Sequence, residues 1–448
     1  MSAHCRHFLY IAGHFNRFSG TAHNKVSRKC THHYSIHIMY LKSLYLLPVL
    51  IAFVSTAGSS GIVCSSADIG RTDSVPSVET KSPNSDYKPA FAGQTRVQSV
   101  KTTTKYKVEK IADKLGFPFA IVPMPDGRLM ITFKPGYMEI HDKNGGLVKK
   151  ITGFPEVAFA GQGGLLDVAF DPKFASNKTI YWSFSQNYPP GNLTSVAKGQ
   201  LNEAAGKVEN VTIIFRATPA LNSNLHFGSR LAFDKNGYLF VTAGERSILE
   251  GRAQAQKLEA GLGKVFKITT DGKPAPGNPF LGNSAAKSEI YSYGHRNPQG
   301  LDIDPLTGLV WEAEFGPRGG DEVNIVKPGK NYGWPVITYG IEYSGEKIGA
   351  AIQQKAGMEQ PIYYWDPVVS PSGISFYRGD AIPEWKGNLF LACLSGMHIC
   401  RLQIKNNKVV GEERLLTDKN ERFRDIASVN GMLYAISETG NVYRVSRN

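Results

Sequence analysis

From about residue 107 to its end, the chain alternates hydrophobic and polar residues in short runs. Alternation with a period of two is typical of β-strands that bury one face. Turn-forming residues separate the runs, as in "PDG" at 125–127 and "KNG" at 235–237. The clearest runs, each predicted to be a strand, are "RLMITF" (128–133), "TIYWSF" (179–184), "YLFVTAG" (238–244), "KVFKIT" (264–269), "LVWEAEF" (309–315), "LFLACL" (389–394), "MLYAIS" (432–437) and "VYRVSR" (442–447).

Helical spacing is confined to one window, "EGRAQAQKLEA" at 250–260. Short strands without intervening helices predict an all-β fold. A single sandwich of this length would be unusual, whereas a β-propeller repeats small antiparallel sheets around a channel. Roughly 340 residues divide into six blades of about 57 residues each. We therefore predict a six-bladed β-propeller, whose loops bring site residues together from distant parts of the chain.

The first hundred residues have a different composition. Residues 40–60 combine a positive flank, an apolar run from Leu44 to Val54 and small residues, the order of a secretory signal; a buried core helix is the alternative. The apolar run is short for a stable membrane span. We predict that residues 1–39 are an unstructured upstream extension, that 40–60 direct export to the periplasm or outside, and that 61–106 are a linker to the propeller domain, 107–448.

The net charge of +13 changes this picture little. Six of the thirteen excess positive charges lie in residues 1–60, which contain no Asp or Glu. The remaining seven are modest for the length, and no Lys/Arg run is interleaved with aromatic residues. We predict that the protein has no nucleic-acid partner.

Two of the five cysteines fall within the predicted propeller. Cys393 and Cys400 flank a predicted hairpin tip at 395–396, where either a disulfide or two buried free thiols would fit. No CxxC pair or zinc-binding spacing occurs. Cys64, in "GIVC", matches a lipid-anchor pattern only weakly.

Four stretches carry polar residues where turns do not require them. In "YSYGHRNPQGLDIDP" (291–305), His295, Arg296 and Asn297 stand together, although a turn needs Gly, Pro or Asn and not Arg. The other three are "FAGQGGLLDVAFDPKF" (159–174), "LHFGSRLAF" (225–233) and "EFGPRGGDEVNIVKPGKNYGWP" (314–335). Taken singly, each could be a solvated corner, a structural histidine or a glycine-rich turn.

Taken together, these motifs resemble a known family. They are followed by "PSGISFYRGDAIPEWKGNLFLACL" and "ERFRDI", and the resemblance extends over residues 107–447. The chain is similar to the soluble quinoprotein sugar dehydrogenases, the group of aldose sugar dehydrogenase and soluble glucose dehydrogenase. The resemblance implies a six-bladed propeller that binds pyrroloquinoline quinone (PQQ) and Ca²⁺. It also implies oxidation of aldoses at C1 to lactones, with an external electron acceptor.

The resemblance implies roles for three catalytic residues. His226 matches the general base that takes the C1 hydroxyl proton as hydride leaves. Glu245, in "TAGE", stands where the family usually has Asp and would orient that imidazole. Arg296 would stabilise the negative charge that develops on the quinone oxygen.

Cofactor-binding residues follow from the same matching. Gln162 and Asn297, with His226 and Arg296, would hold the quinone. Arg422 and Arg424 of "ERFRD" would pair with its carboxylates from one face of a strand. Tyr339 and Tyr343 fall where aromatic residues line the family's pocket; a solvated loop is the alternative.

Calcium is implied by "FGPRGGDE", where the carbonyl groups of Gly316 and Pro317 would bind the ion. Glu322 and Tyr332 match a second, structural calcium position of the aldose branch. Two departures, Val368 and Ser395, fall where the glucose dehydrogenase branch has a hydroxyl and a lysine, which favours the aldose branch. "TFKPG" (132–136) also departs from the family pattern, with no expected effect.

Two other functions are compatible with a propeller. A calcium-dependent lactonase would need several carboxylates and amides around one metal, and the sequence indicates no such set. A non-enzymatic module that binds sugars or proteins would not need a base. The presence of a base within a cluster of polar residues argues against such a module. The cluster comprises the base His226 with Arg296, Asn297, Arg422 and Arg424.

Overall fold

The computed structural model describes residues 75–448. The extension 1–39, the signal-like segment 40–60 and Cys64 lie outside the described residues. Within 75–448 the chain forms 24 strands, arranged as six four-stranded antiparallel sheets. The predicted all-β, six-bladed propeller is confirmed.

The sheets follow one another along the chain, except that the first strand joins the last sheet. The first three sheets comprise β2 (Pro118–Pro123), β3 (Leu129–Phe133), β4 (Tyr137–His141), β5 (Leu147–Ile151); β6 (Leu165–Phe170), β7 (Thr179–Tyr188), β8 (Gly191–Asn202), β9 (Lys207–Arg216); and β10 (Leu231–Phe233), β11 (Leu239–Ala243), β12 (Lys264–Ile268), β13 (Ile290–Tyr293). The last three comprise β14 (Pro298–Ile303), β15 (Val310–Glu314), β16 (Asp321–Val326), β17 (Tyr363–Trp365); β18 (Pro371–Phe376), β19 (Leu389–Cys393), β20 (His398–Lys405), β21 (Lys408–Leu415); and β22 (Phe423–Val429), β23 (Met432–Ser437), β24 (Val442–Arg447) with β1 (Tyr106–Ala112).

All eight predicted strands are confirmed, and β7 extends four residues beyond its predicted end. The described helices are short: α1 (Phe174–Asn177), α2 (Leu249–Gln254) and two 3₁₀ turns, Pro383–Trp385 and Thr417–Lys419. The helix predicted over 250–260 ends at Gln254. Lys264 donates from Nζ to the carbonyl groups of Gln254 (3.1 Å) and Ala255 (2.9 Å), which satisfies the end of the helix.

The six first strands of the sheets, β2, β6, β10, β14, β18 and β22, contact one another in a closed circle. The ring is closed by the two ends of the described chain, because β1 pairs with β24 in the last sheet. Carboxylates also join neighbouring blades, at every second junction around the ring. Three aspartates accept a backbone N–H of the next blade at 2.8 Å: Asp167 from Leu231, Asp302 from Phe376 and Asp425 from Ile121.

Residues 75–105, the described part of the predicted linker, form no strand but contact the propeller. The carboxylate of Asp366 accepts the backbone N–H groups of Asn84 (2.8 Å) and Ser85 (3.1 Å). Val97 packs in a hydrophobic cluster of the propeller, and the Thr102 hydroxyl donates to Glu413 (2.7 Å). The polar residues of this segment form hydrogen bonds with carboxylates of the propeller.

Cys393 and Cys400 are buried free thiols. In the register of β19 and β20, Cys393 lies opposite His398 and Cys400 opposite Leu391, so the two cysteines do not face each other. Of the two alternatives open from the sequence, the structure contains free thiols. Among residues 75–448, no helix has the length and hydropathy needed to cross a membrane.

Candidate active site

A cavity of about 360 Å³ collects residues that lie near the start of the inner strands. All six blades contribute to it. Eight of the predicted site residues line it: Gln162, His226, Arg296, Gly316, Pro317, Tyr343, Arg422 and Arg424. The cavity therefore joins sites that are separated by more than 250 positions in the sequence.

His226, which lines this cavity, forms a buried pair with Glu245, which lies outside the lining. Nδ1 of His226 lies 2.6 Å from Oε1 of Glu245. A neutral imidazole that donates from Nδ1 keeps its lone pair on Nε2. Burial lowers the pKa of His226 to about 4, helped by the charge of Arg296 and opposed by Glu245. The imidazole is therefore neutral at neutral pH and able to accept a proton.

The backbone around His226 is constrained. His226 has φ +48°, in the left-handed region that few non-glycine residues adopt. Its N–H donates to Oε1 of Gln162 (2.8 Å). Gly244 approaches so closely that a Cβ there would lie 2.3 Å from the His226 carbonyl oxygen. The sequence "TAGE" thus needs its glycine to bring Glu245 against the imidazole.

Arg296 lies between His226 and the loop after β15. Its Nη1 donates to the carbonyl oxygens of Phe315 (3.0 Å) and Gly316 (2.7 Å), and its guanidinium lies 5.1 Å from the ring centroid of Trp334. Two buried donors, Nε of Arg296 and Nδ2 of Asn297, have no partner among the described residues. Buried donors are usually satisfied, so Nε of Arg296, a residue of the cavity lining, is available for a ligand.

Asn297 does not line the cavity but supports it. Its Oδ1 accepts the backbone N–H of Gly228 (3.0 Å), in the loop that carries His226. The carboxylate of Glu314 accepts the backbone N–H groups of Arg296 (2.5 Å) and Asn297 (3.1 Å). These bonds hold the "GHRN" turn against β15.

Asp321 organises the loop that contains Gly316 and Pro317. Its Oδ1 accepts the N–H of Gly316 (2.8 Å), and its Oδ2 accepts those of Val369 (2.8 Å) and Ser370 (2.6 Å). Burial raises the pKa of Asp321 to about 7, although these hydrogen bonds act to lower it. A Cβ on Gly316 would lie 2.3 Å from the backbone of Gly320, so this tight loop requires glycine.

Arg422 and Arg424 both belong to the cavity lining, and the part that they form is called the arginine wall. Arg424 is the second residue of β22, whereas Arg422 precedes the strand, so the prediction that one strand presents both is only half right. Both pair with a single carboxylate, that of Glu438. Nε of Arg422 lies 2.6 Å from Oε2 of Glu438, and Nη2 of Arg424 pairs with Oε1.

The two tyrosines that were predicted to line the pocket lie in different environments. Tyr343 is 69% exposed and lines the cavity. Tyr339 is buried outside its lining, and its hydroxyl lies within hydrogen-bond distance of Gln94 (3.1 Å) and Gln360 (2.5 Å). The prediction that Tyr339 lines the pocket is wrong, because this tyrosine stacks on Tyr364 and contacts the segment before β1.

Glu322 and Tyr332 line a second, much smaller cavity on the far side of Gly316. Burial raises the pKa of Glu322 well above its usual value, and the nearby carboxylate of Glu314 raises it further. The Tyr332 hydroxyl donates to the carbonyl oxygen of Ile325 (2.6 Å), and its ring stacks on His295 (4.6 Å). At Tyr332 only the backbone carbonyl is therefore suited to bind a metal.

Three charged residues of the main cavity were missed from the sequence: Lys134, Asp321 and Glu438. Lys134 stands in "TFKPG", where the departure from the family pattern was the available signal. Glu438 lies in an ordinary hairpin tip, "SETG", and nothing local marks it. The lining holds four cations, Lys134, Arg296, Arg422 and Arg424, against the carboxylates of Asp321 and Glu438. The balance is positive and suits an anionic ligand.

The fold and this site define the chain as a propeller oxidoreductase. In particular, it belongs to the glucose/sorbosone dehydrogenase family, whose sequence model matches residues 115–444. It is 40% identical to aldose sugar dehydrogenase YliI of Escherichia coli over 345 residues, 76% of this chain and 92% of that protein.

Solved structures of aldose sugar dehydrogenases are also similar to this chain. The crystal structure of soluble aldose sugar dehydrogenase from Escherichia coli in its apo-form superposes with a TM-score of 0.73, at 38% identity over 77% of this chain and all of that one. The PQQ-bound form of aldose sugar dehydrogenase from Streptomyces coelicolor gives a TM-score of 0.64, at 26% identity over 77% of this chain and 99% of that one.

Proposed function

We propose that the protein oxidises aldose sugars at C1 to the lactone, with PQQ and Ca²⁺ as cofactors and an external electron acceptor. The observation that carries the proposal is the His226–Glu245 pair, a neutral imidazole base held inside a cationic pocket. Relatives named as aldose sugar dehydrogenases, one of them solved with PQQ, support it.

The residues present fit PQQ, which carries three carboxylates. Four cations line the cavity, and the buried nitrogen atoms of Arg296 and Asn297 lack partners among the described residues. Arg296, Arg422 and Arg424 would pair with the anionic groups, with Gln162, Asn297 and His226 placed around them. Tyr343 would cover the open side. When bound, PQQ would accept a hydride at C5.

The chain's own residues would manage the proton. His226 would take the C1 hydroxyl proton on Nε2 as hydride leaves C1. Glu245, which accepts from Nδ1, would fix the tautomer and stabilise the imidazolium once the proton arrives. Arg296 would place positive charge where negative charge develops.

The loop at Gly316 and Pro317 fits a calcium ion. The carbonyl oxygen of Pro317 accepts no hydrogen bond from the described residues, and that of Gly316 accepts one from Arg296. Backbone carbonyl groups are ordinary calcium ligands. When bound, the ion would act as a Lewis acid. Glu322 and the carbonyl of Tyr332 would hold a second, structural ion, which would offset the negative charge around Glu314.

The rival functions have less support. A propeller lactonase needs side-chain carboxylates that are free to bind a metal, but Asp321 accepts three backbone N–H groups and Glu438 pairs with two arginines. A binding module has no use for a neutral base beside a cationic pocket. We also propose export, with residues 40–60 as the signal.

Reconstitution tests the proposal. The purified chain is mixed with PQQ and Ca²⁺, and dye reduction is followed with glucose and other aldoses, beside His226→Ala. We expect reduction that requires PQQ, Ca²⁺ and His226 together. A folded protein without PQQ-dependent turnover would overturn the proposal and direct the search to lactone hydrolysis or binding.

A further inference from the structure

Glu438 occupies the arginine wall of the cavity from the tip of the β23–β24 hairpin. Its backbone N–H donates to the carbonyl oxygen of Arg422 (2.8 Å), so the hairpin tip is anchored to the arginine segment. Its two carboxylate oxygens each receive one guanidinium, that of Arg422 and that of Arg424. The chain thus places one of its own carboxylates where an anionic ligand would bind.

The contact between Glu438 and the two arginines is an ion pair. The Arg424 side chain is 13% exposed, and among the described residues its ion pairs are confined to Glu438. Burial opposes ionisation of Glu438, but the two arginines outweigh it and lower its pKa below the usual value. At neutral pH the carboxylate is therefore charged and occupies both guanidinium groups.

We propose that Glu438 is a specificity-determining residue that makes the arginine pair selective for a ligand with several carboxylates. This inference rests on the proposed function for the identity of that ligand, PQQ. A single carboxylate must displace one that is tethered at high effective concentration. A ligand with several carboxylates also reaches Lys134 and Arg296, which line the same cavity. A ligand whose other carboxylates bind Lys134 and Arg296 need not displace Glu438 to be held, so the competition lowers its affinity less than that of a monocarboxylate.

Rejection of ligands with a single carboxylate would matter for the proposed reaction. Hydrolysis of an aldonolactone adds water across the ester bond and yields an aldonate, which carries one carboxylate. Without Glu438, that product would find two arginines free beside the base. With Glu438 in place, the arginines stay closed to monocarboxylates.

A matched control, Glu421, precedes β22 and contacts the tip of the same hairpin. Glu421 is outside the cavity lining and accepts from Nδ2 of Asn441 (2.7 Å) and from the hydroxyl of Thr439 (2.6 Å). Glu421→Gln therefore removes a carboxylate of the same blade that lies outside the cavity lining.

The test measures binding by calorimetry in the presence of Ca²⁺ and without sugar. The probes are sodium gluconate and PQQ, each titrated into the wild-type chain, Glu438→Gln and Glu421→Gln. We expect Glu438→Gln to bind gluconate at least about tenfold more tightly than the wild type. Its ratio of PQQ affinity to gluconate affinity should fall by a similar factor. Glu421→Gln should match the wild type for all probes.

The inference is overturned if Glu438→Gln binds gluconate no more tightly than the wild type, or if its PQQ/gluconate ratio is unchanged. Because Glu438→Gln leaves the buried Arg424 without a counter-charge, Glu438→Asp serves as a second variant. It keeps the charge and should keep the rejection of gluconate. If the wild type binds no PQQ, the proposed function fails, whereas the gluconate comparison still decides the role of Glu438.

Discussion

Oε1 of Glu245 lies 2.6 Å from Nδ1 of His226, and both side chains are buried. The carboxylate of Glu245, at a position where the resembling family usually has Asp, therefore reaches the imidazole. The pair is held by the close approach of Gly244 to the His226 carbonyl.

Glu245→Gln should lower kcat by about 10²-fold or more, because the amide cannot stabilise the imidazolium. The carboxylate also raises the pKa of His226, so its loss should make the base weaker. Dye-reduction kinetics of the reconstituted protein measure the effect. Glu250→Gln, on an exposed face of α2, is the control, and equal activity of the two variants would contradict the orienting role.

The pH dependence of kcat should reflect the neutral state of His226. Because its pKa is about 4, turnover should persist below pH 6.5 and be lost as the pH falls towards 4. Initial rates at saturating sugar and dye across this range measure the acidic limb. A limb centred near pH 6.5 would show that the imidazole is not buried as described.

Stability should fall over the same pH window. The folded-state pKa values of His226 and His398 are both lowered to about 4 by burial, while an unfolded histidine titrates near 6.5. The unfolded state thus binds more protons between these values, and each histidine costs up to about 3 kcal/mol as the pH falls through them. Urea unfolding at several pH values measures the slope, and His226→Asn should reduce it. An unchanged slope would exclude His226 as a contributor.

Gly316→Ala should weaken calcium binding by at least about tenfold, because the added Cβ would meet the backbone of Gly320 at 2.3 Å and open the loop. Calcium titration of the PQQ-loaded protein measures the change. Gly116→Ala is the matched control, since no atom lies within 4 Å of a Cβ there. Calcium affinity equal to that of the control would argue against a site at this loop.

The two tyrosines should behave differently. Tyr339→Phe removes a buried hydroxyl near Gln94 and Gln360 and should lower the free energy of unfolding by about 1 kcal/mol, with unchanged kcat/KM. Tyr343→Ala, at the exposed side of the cavity, should lower kcat/KM and leave stability nearly unchanged. Unfolding curves and kinetics of both variants test this contrast. The reverse pattern would restore the pocket role of Tyr339.

The sequence by itself determined the strands, because alternation and turn residues act within a few positions of each other. All eight strands predicted from runs such as "RLMITF" are present, and the repeated small sheets led to the propeller. The resemblance to a known family, which several motifs in the same order carry, also implied His226, Arg296 and Gln162 as site residues. Eight of the predicted site residues line one cavity.

Only the tertiary structure decided which side chains meet. Glu438 pairs with Arg422 and Arg424 because two sides of the last blade converge, a contact that no local pattern encodes. Tyr339 turns away from the cavity because the segment around Gln94 packs there, although its composition predicts a linker. Local patterning sets each strand, whereas closure of the ring sets the charge and the lining of the channel.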